Sequence, residues 1–203
     1  MDKNELFPPY LELCLNFANT LEWHASEQPV ETLHGYTDLV AWAQQANVLT
    51  DAEAAELTGQ AGRFSTEAAQ VYTQAIDLRE AIYQIFAAVA TEQNPAPTDL
   101  AILNAALPAA YSHWQIVQTA DGFAWGWTGT DKELDCILWP VVRSAADLLL
   151  FKELSRVRQC ADDRGCGDLF IDTTRNHSRR WCTMESCGNR AKARRHYSRT
   201  VRQ

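Results

Sequence analysis

Four cysteines near the C-terminus constrain this 203-residue chain more than any other feature. Cys160, Cys166, Cys182 and Cys187 are spaced C-x5-C-x15-C-x4-C. A structural Zn2+ wants a closed tetrahedral shell of soft ligands, and two close cysteine pairs separated by a short insert can supply it. A segment of about 40 residues buries too little apolar surface to fold alone. Zinc binding free energy would then serve as folding free energy. A disulfide pair is the competing reading. Against it, no charged-then-apolar leader follows Met1, so a cytoplasmic chain with reduced thiols is expected. A catalytic zinc keeps a position open, whereas four thiolates close the shell, so one structural zinc is expected. His177 and His196 are the nearby substitute ligands.

The formal net charge of −8 hides a split. Residues 1–155 hold 6 Lys/Arg against 21 Asp/Glu, a net −15, whereas residues 156–203 hold 12 against 5, a net +7. One zinc on four thiolates lowers the second figure to about +5, since bound cysteines are deprotonated. Such asymmetry suggests that one end meets a polyanion. The plainer alternative is that the basic end docks on an acidic body, its own or a neighbour's. No run of about 18 apolar residues exists, so no membrane span is expected.

Arg156-Val157-Arg158-Gln159-Cys160, Cys166-Gly167-Asp168-Leu169-Phe170-Ile171-Asp172, Arg179-Arg180-Trp181-Cys182-Thr183-Met184 and Cys187-Gly188-Asn189-Arg190-Ala191-Lys192 together resemble the CGNR zinc finger. The preceding residues, on the strength of Leu13-Cys14-Leu15-Asn16-Phe17-Ala18-Asn19-Thr20, resemble the ABATE domain of bacterial proteins described as stress-induced transcription regulators. The resemblance implies a body over residues 1–155, a finger over 156–203, and a role in regulating transcription.

Along the chain, Leu11, Leu13, Leu15 and Phe17 alternate, which predicts a half-buried strand over residues 10–20. Asn16 and Asn19 at its end, followed by Trp23 and His24, are candidates to line a small-molecule pocket; such Asn side chains also bond local backbone. Residues 27–35 carry Pro29 and Gly35 and read as loop. Residues 37–46 have helical spacing. Thr50 and Glu53 form a capping box that opens a helix to about Gly59. Val71, Ala75, Leu78, Ile82, Ile85 and Val89 draw one apolar stripe on a long helix, with Arg79 and Glu80 facing away and Pro95 and Pro97 ending it. Thr98-Asp99 caps another helix through Leu107. Asp121-Gly122 between residues 111–117 and 123–127 is a hairpin signal. Phe123, Trp125 and Trp127 share one face of it. Three aromatics can stack a planar ligand, but a face covered by helices is the simpler expectation. Residues 133–154 read as a last large helix kinked or started by Pro140. Cys14 and Cys136 are expected as buried free thiols. The fold class is thus α+β: a mainly helical body with a small antiparallel sheet, joined without a linker to the finger.

Inside the finger, Gly165 and Gly167 give the first cysteine pair a turn. Residues 169–172 read as a strand and 179–182 as its return, with Phe170 and Trp181 as a mini-core. Cys187 opens a helix. Knuckle, hairpin and ligand-bearing helix make a treble-clef arrangement, which the resemblance also implies. The candidate nucleic-acid contacts are Arg175, Arg179, Arg180, Arg190, Lys192, Arg194, Arg195 and Arg199. Arginine and lysine bind phosphate and release counterions. Arg190, beside the cysteines, can instead hydrogen-bond the metal cluster.

Two classes of function compete. A DNA-binding regulator with a body that senses a small molecule or forms a homodimer fits the charge split. An RNA-binding or protein-docking zinc module would use Trp181 and Tyr197 for stacking on unpaired bases. Enzymatic activity is not expected: residues 1–150 show no nucleophile motif, metal-spaced His/Asp cluster or phosphate loop.

Overall fold

Leu11, Cys14, Leu15 and Ala18 recur at helical steps, and the chain follows that spacing rather than the alternation of its leucines. The computed structural model describes residues 9–130 and 133–200. It has a 3-10 turn at Pro9–Glu12 and then helix α1, Leu13–Ala18. The strand expected over residues 10–20 is therefore a helix. Cys14 and Ala18, which a strand would turn away from the core, are apolar and bury with Leu11, Leu15 and Phe17. Only a helical turn puts all five inside. Short strands β1 (Leu21–Glu22) and β2 (Val30–Glu31) then pair antiparallel.

Helix α2 spans Tyr36–Gln45. Helix α3, Asp51–Arg63, opens on the predicted capping box: the Glu53 amide donates to Thr50 Oγ1 at 3.3 Å, and the Thr50 amide to Glu53 Oε2 at 2.8 Å. It runs past Gly59 because an isolated glycine costs only about 1 kcal/mol in a helix. Helix α4, Ser65–Ala90, is the axis of the body and buries Ala75, Leu78, Ile82 and Ile85 from the expected stripe. One expectation fails here. Arg79 does not face away; it is 2% exposed. Its guanidinium takes both carboxylate oxygens of Glu31 at 2.7 Å each and also donates to Glu80 Oε1 at 3.0 Å. Elements pack around α4 on several sides, so its buried arc is wider than one stripe. Opposite charge from β2 is what makes an arginine acceptable there. The helix stops at Ala90, ahead of both prolines, and Glu92 takes a left-handed φ of 57°.

Helix α5, Pro97–Ser112, uses Pro97 in its first turn and continues through Pro108, five residues beyond the expected end at Leu107. Strands β3 (Trp114–Thr119) and β4 (Gly122–Trp127) form the predicted hairpin, with Gly122 at φ 127° after the turn. Its aromatic face is not covered by helices. Phe123 is 79% and Trp125 59% exposed, and Ile116 opposite Trp125 is 66% exposed. Only the base of the ribbon meets the body, where Trp127 lies 6.1 Å from Trp139. A 3-10 turn at Leu134–Ile137 leads into helix α6, Leu138–Leu149, with Pro140 in its first turn. Cys14 and Cys136 are buried free thiols, and burial pushes each up to about 12.

Strand β5 (Val157–Gln159) and strand β6 (Leu169–Ile171) pair antiparallel on either side of the first cysteine pair. The partner of residues 169–171 is therefore the segment before Cys160, and residues 179–182 are not a strand. Val157, Leu169 and Ile171 bury into the same core as α4 and α6, so the finger shares the body's interior. One π-type turn at Met184–Gly188 precedes helix α7, Asn189–Thr200. Cys187 sits in that turn rather than in the helix proper. The molecule is mostly helical with small antiparallel sheets. Among the described residues no helix is long and apolar enough to cross a membrane.

Candidate metal centre and nucleic-acid surface

The turn between β5 and β6 brings Cys160 and Cys166 together, and the turn before α7 brings Cys187 against Cys182. The four sulfurs all lie within 4.8 Å of one another. Cys166 Sγ is 3.7 Å from Cys182 Sγ, and Cys182 Sγ is 3.6 Å from Cys187 Sγ. A disulfide would need about 2.05 Å. A tetrahedron with Zn–S near 2.3 Å requires S···S edges of about 3.8 Å. The spacing is that of a metal shell, and all six cysteines are free. The donor set fits one structural zinc ion, held by Cys160, Cys166, Cys182 and Cys187.

The knuckle needs its glycines. Gly165 has φ +89° and Gly167 φ +73°; a Cβ on Gly165 would meet the Ser26 backbone at 2.6 Å, and one on Gly167 the Ala25 amide at 2.8 Å. The loop after β1 therefore presses directly on the knuckle. Tyr83 on α4 closes the other side, donating to the Gly167 carbonyl at 3.2 Å and accepting from Gln159 Nε2 at 2.7 Å. Phe170 packs on the cysteines with Trp181, as expected, and with Trp23, which was not.

The basic residues divide into two groups. Arg190 donates to Cys187 Sγ at 2.7 Å and to Asp162 Oδ2 at 3.2 Å. Arg194 donates to Asp162 Oδ1 at 3.2 Å and also pairs with Asp163. Arg179 donates to the carbonyls of Trp181 and Cys182 and lies over Phe170, 4.4 Å from its centroid. These three bind the finger to itself. Arg175, Arg180 and Lys192 are exposed, Arg180 with its guanidinium 5.3 Å from the Trp181 ring centre. The side chains of Arg195, His196 and Arg199 lie outside the described residues. His177 is exposed and stands outside the sulfur cluster.

Asp162 is the residue that sequence reasoning missed. Its side chain is fully buried, with Arg164, Arg190 and Arg194 around it. Hydrogen bonds from the Arg164 amide and from those arginines hold its carboxyl at about 2 against the opposing effect of burial. An acid between the two cysteines of the first pair, in an otherwise basic segment, was the available signal. Asp172 plays a similar part in the loop after β6, accepting from the amides of Thr174 at 2.8 Å and Arg179 at 2.9 Å.

The four candidate pocket residues separate. Asn16 and Asn19 line a cavity of about 210 Å3 between α1, β6 and Thr183, but Asn19 spends its amide on Leu169, donating to the carbonyl at 2.9 Å and accepting from the amide at 2.8 Å. Trp23, at φ 56°, stands between Arg164 and Arg190, with their guanidinium carbons 5.1 and 5.0 Å from its ring centres. His24 stacks on Tyr83 at 3.3 Å and bonds Glu80 at 2.9 Å. Neither lines that cavity.

Two known families match the chain. The ABATE family, described as a putative stress-induced transcription regulator, matches residues 11–150. The CGNR zinc finger matches residues 156–200. No curated protein matches the chain. With well over half its length inside the first match and its four sulfurs set for zinc inside the second, the chain belongs to the ABATE family and ends in a CGNR zinc finger.

Proposed function

We propose that the chain is a cytoplasmic, DNA-binding transcription regulator whose zinc-loaded finger contacts duplex phosphates. The observation that carries this is the placement of charge. A finger of net +7 before metal binding is fused to a body of net −15, and Arg175, Arg180 and Lys192 remain exposed while Arg179, Arg190 and Arg194 are held within the finger. An acidic body repels nucleic acid, so binding is confined to the finger. Free thiols throughout fit a reducing compartment. The stress context follows from the family description alone.

The second reading, an RNA-binding or protein-docking module, draws on Tyr197, which is 69% exposed. Trp181, the other aromatic of that reading, is part of the cluster around the cysteines. Titration of zinc-loaded protein with duplex and with single strands at matched salt separates the two. Tighter duplex binding supports the regulator; tighter single-strand binding, or none to either, contradicts it.

A further inference from the structure

An apolar cleft in the body lies between α4, α5 and α6, away from the finger. Its volume is about 480 Å3, within the roughly 300–1,000 Å3 that small-molecule sites occupy. Leu78, Leu138, Trp139 and Val142 line it and are themselves almost fully buried. The α5 wall is made of Ala105, Ala106 and Ala109, whose short side chains leave the space open. Helix α5 buries only Leu103 and Ala110 on its inner side, yet it carries Ile102, 40% exposed, into the cleft. A helix apolar on both sides is ordinarily covered on both.

The charge of the cleft selects what covers it. Asp77 and Asp135 are the charged residues that line it, and no basic side chain does so among the described residues. Among the described residues Asp77, which is exposed, has no ion pair, and half-buried Asp135 accepts one hydrogen bond, from Trp139 Nε1 at 3.3 Å. An anion would meet two carboxylates, and a neutral apolar molecule would gain nothing from them. A cation on an aromatic body satisfies both the walls and the carboxylates. We infer that this cleft is a binding site for an organic cation with an apolar body. The site belongs to the body alone, so it stands or falls independently of nucleic-acid binding by the finger.

Calorimetric titration of the full, zinc-loaded chain tests this with three probes of one shape: naphthylmethyl-trimethylammonium, neutral naphthylmethanol and naphthylacetate. The cation should bind most tightly and the acetate not at all. Asp77→Asn with Asp135→Asn should weaken the cation by about tenfold, to the level of the neutral probe, and leave the neutral probe unchanged. Asn keeps the acceptor for Trp139, so helical circular dichroism should not change. Ala109→Phe, on an exposed position, should fill the cleft and abolish both. Equal binding of cation and alcohol, a cation indifferent to either substitution, or no binding by any probe overturns the assignment.

Discussion

Asn19 and Leu169, 150 residues apart, exchange two hydrogen bonds through one side chain: Nδ2 to the Leu169 carbonyl at 2.9 Å, and the Leu169 amide to Oδ1 at 2.8 Å. The amide of Asn19 thereby acts as a short extra strand beside β6 and fastens the finger to α1. Asn19→Asp keeps the acceptor but turns a negative oxygen toward the Leu169 carbonyl. The expected loss is about 1–3 kcal/mol, the cost of leaving a partly buried acceptor opposed rather than paired. Denaturant unfolding at saturating zinc measures it; a stability equal to the parent contradicts the docking role.

Arg79 should prove the most sensitive single position in the body. Arg79→Met leaves Glu31 and Glu80 facing each other without their cation. A loss of about 3 kcal/mol is expected, at the lower end for breaking a buried pair because the Glu31 side chain is 31% exposed. The same pair sets an acid limit. The Arg79 guanidinium holds Glu31 below the usual carboxylate range despite burial, and bonds from His24 and Arg79 do the same for Glu80. Stability from a depressed carboxylate is present above its unfolded value of about 4.3 and is lost as pH falls through the folded value. Thermal unfolding of the parent should therefore weaken steeply below about pH 4.3, and that slope should be shallower in Arg79→Met.

The sulfur cluster predicts one zinc per chain by metal analysis. Cys182→Ser, or chelation, should release it and unfold the finger, seen as exposure of Trp181 by fluorescence. Helices α1 to α6 should persist in far-ultraviolet circular dichroism, because most of their core is made without β5 and β6. Full zinc retention by Cys182→Ser would show that another ligand completes the shell.

Much of this was legible beforehand where one local interaction decided the outcome. Thr50 and Glu53 cap a helix by themselves, Asp121-Gly122 marks a hairpin, and the spacing of four cysteines needs no distant partner to suggest zinc. The misreadings share the opposite property. Leu11 to Phe17 alternate, and only packing of α1 against α4, α6 and β6 shows that Cys14 and Ala18 also belong inside. Arg79 looks outward until Glu31, 48 residues earlier, comes beside it. Strand β5 is three residues long and is held as a strand by Leu169 to Ile171, beyond the cysteine turn. Arg190 and Arg194 look like free phosphate ligands because their partner, Asp162, comes from the first cysteine pair, 28 and 32 residues earlier.

The same division sharpens the test of nucleic-acid binding. Under the proposed function, phosphate contacts fall to Arg175, Arg180 and Lys192, whereas Arg179, Arg190 and Arg194 support the finger. With about one phosphate for each exposed cation, those three should contribute about −2.7 to the slope of log K against log salt, from about −0.9 per contact. The decisive measurement is that slope for the zinc-loaded chain on duplex DNA, before and after Arg175→Ala, Arg180→Ala and Lys192→Ala are combined. The account predicts binding at low salt and a slope flatter by about 2.7 in the triple variant, with zinc content unchanged. No binding at low salt, or a slope that the triple variant leaves untouched, would contradict it.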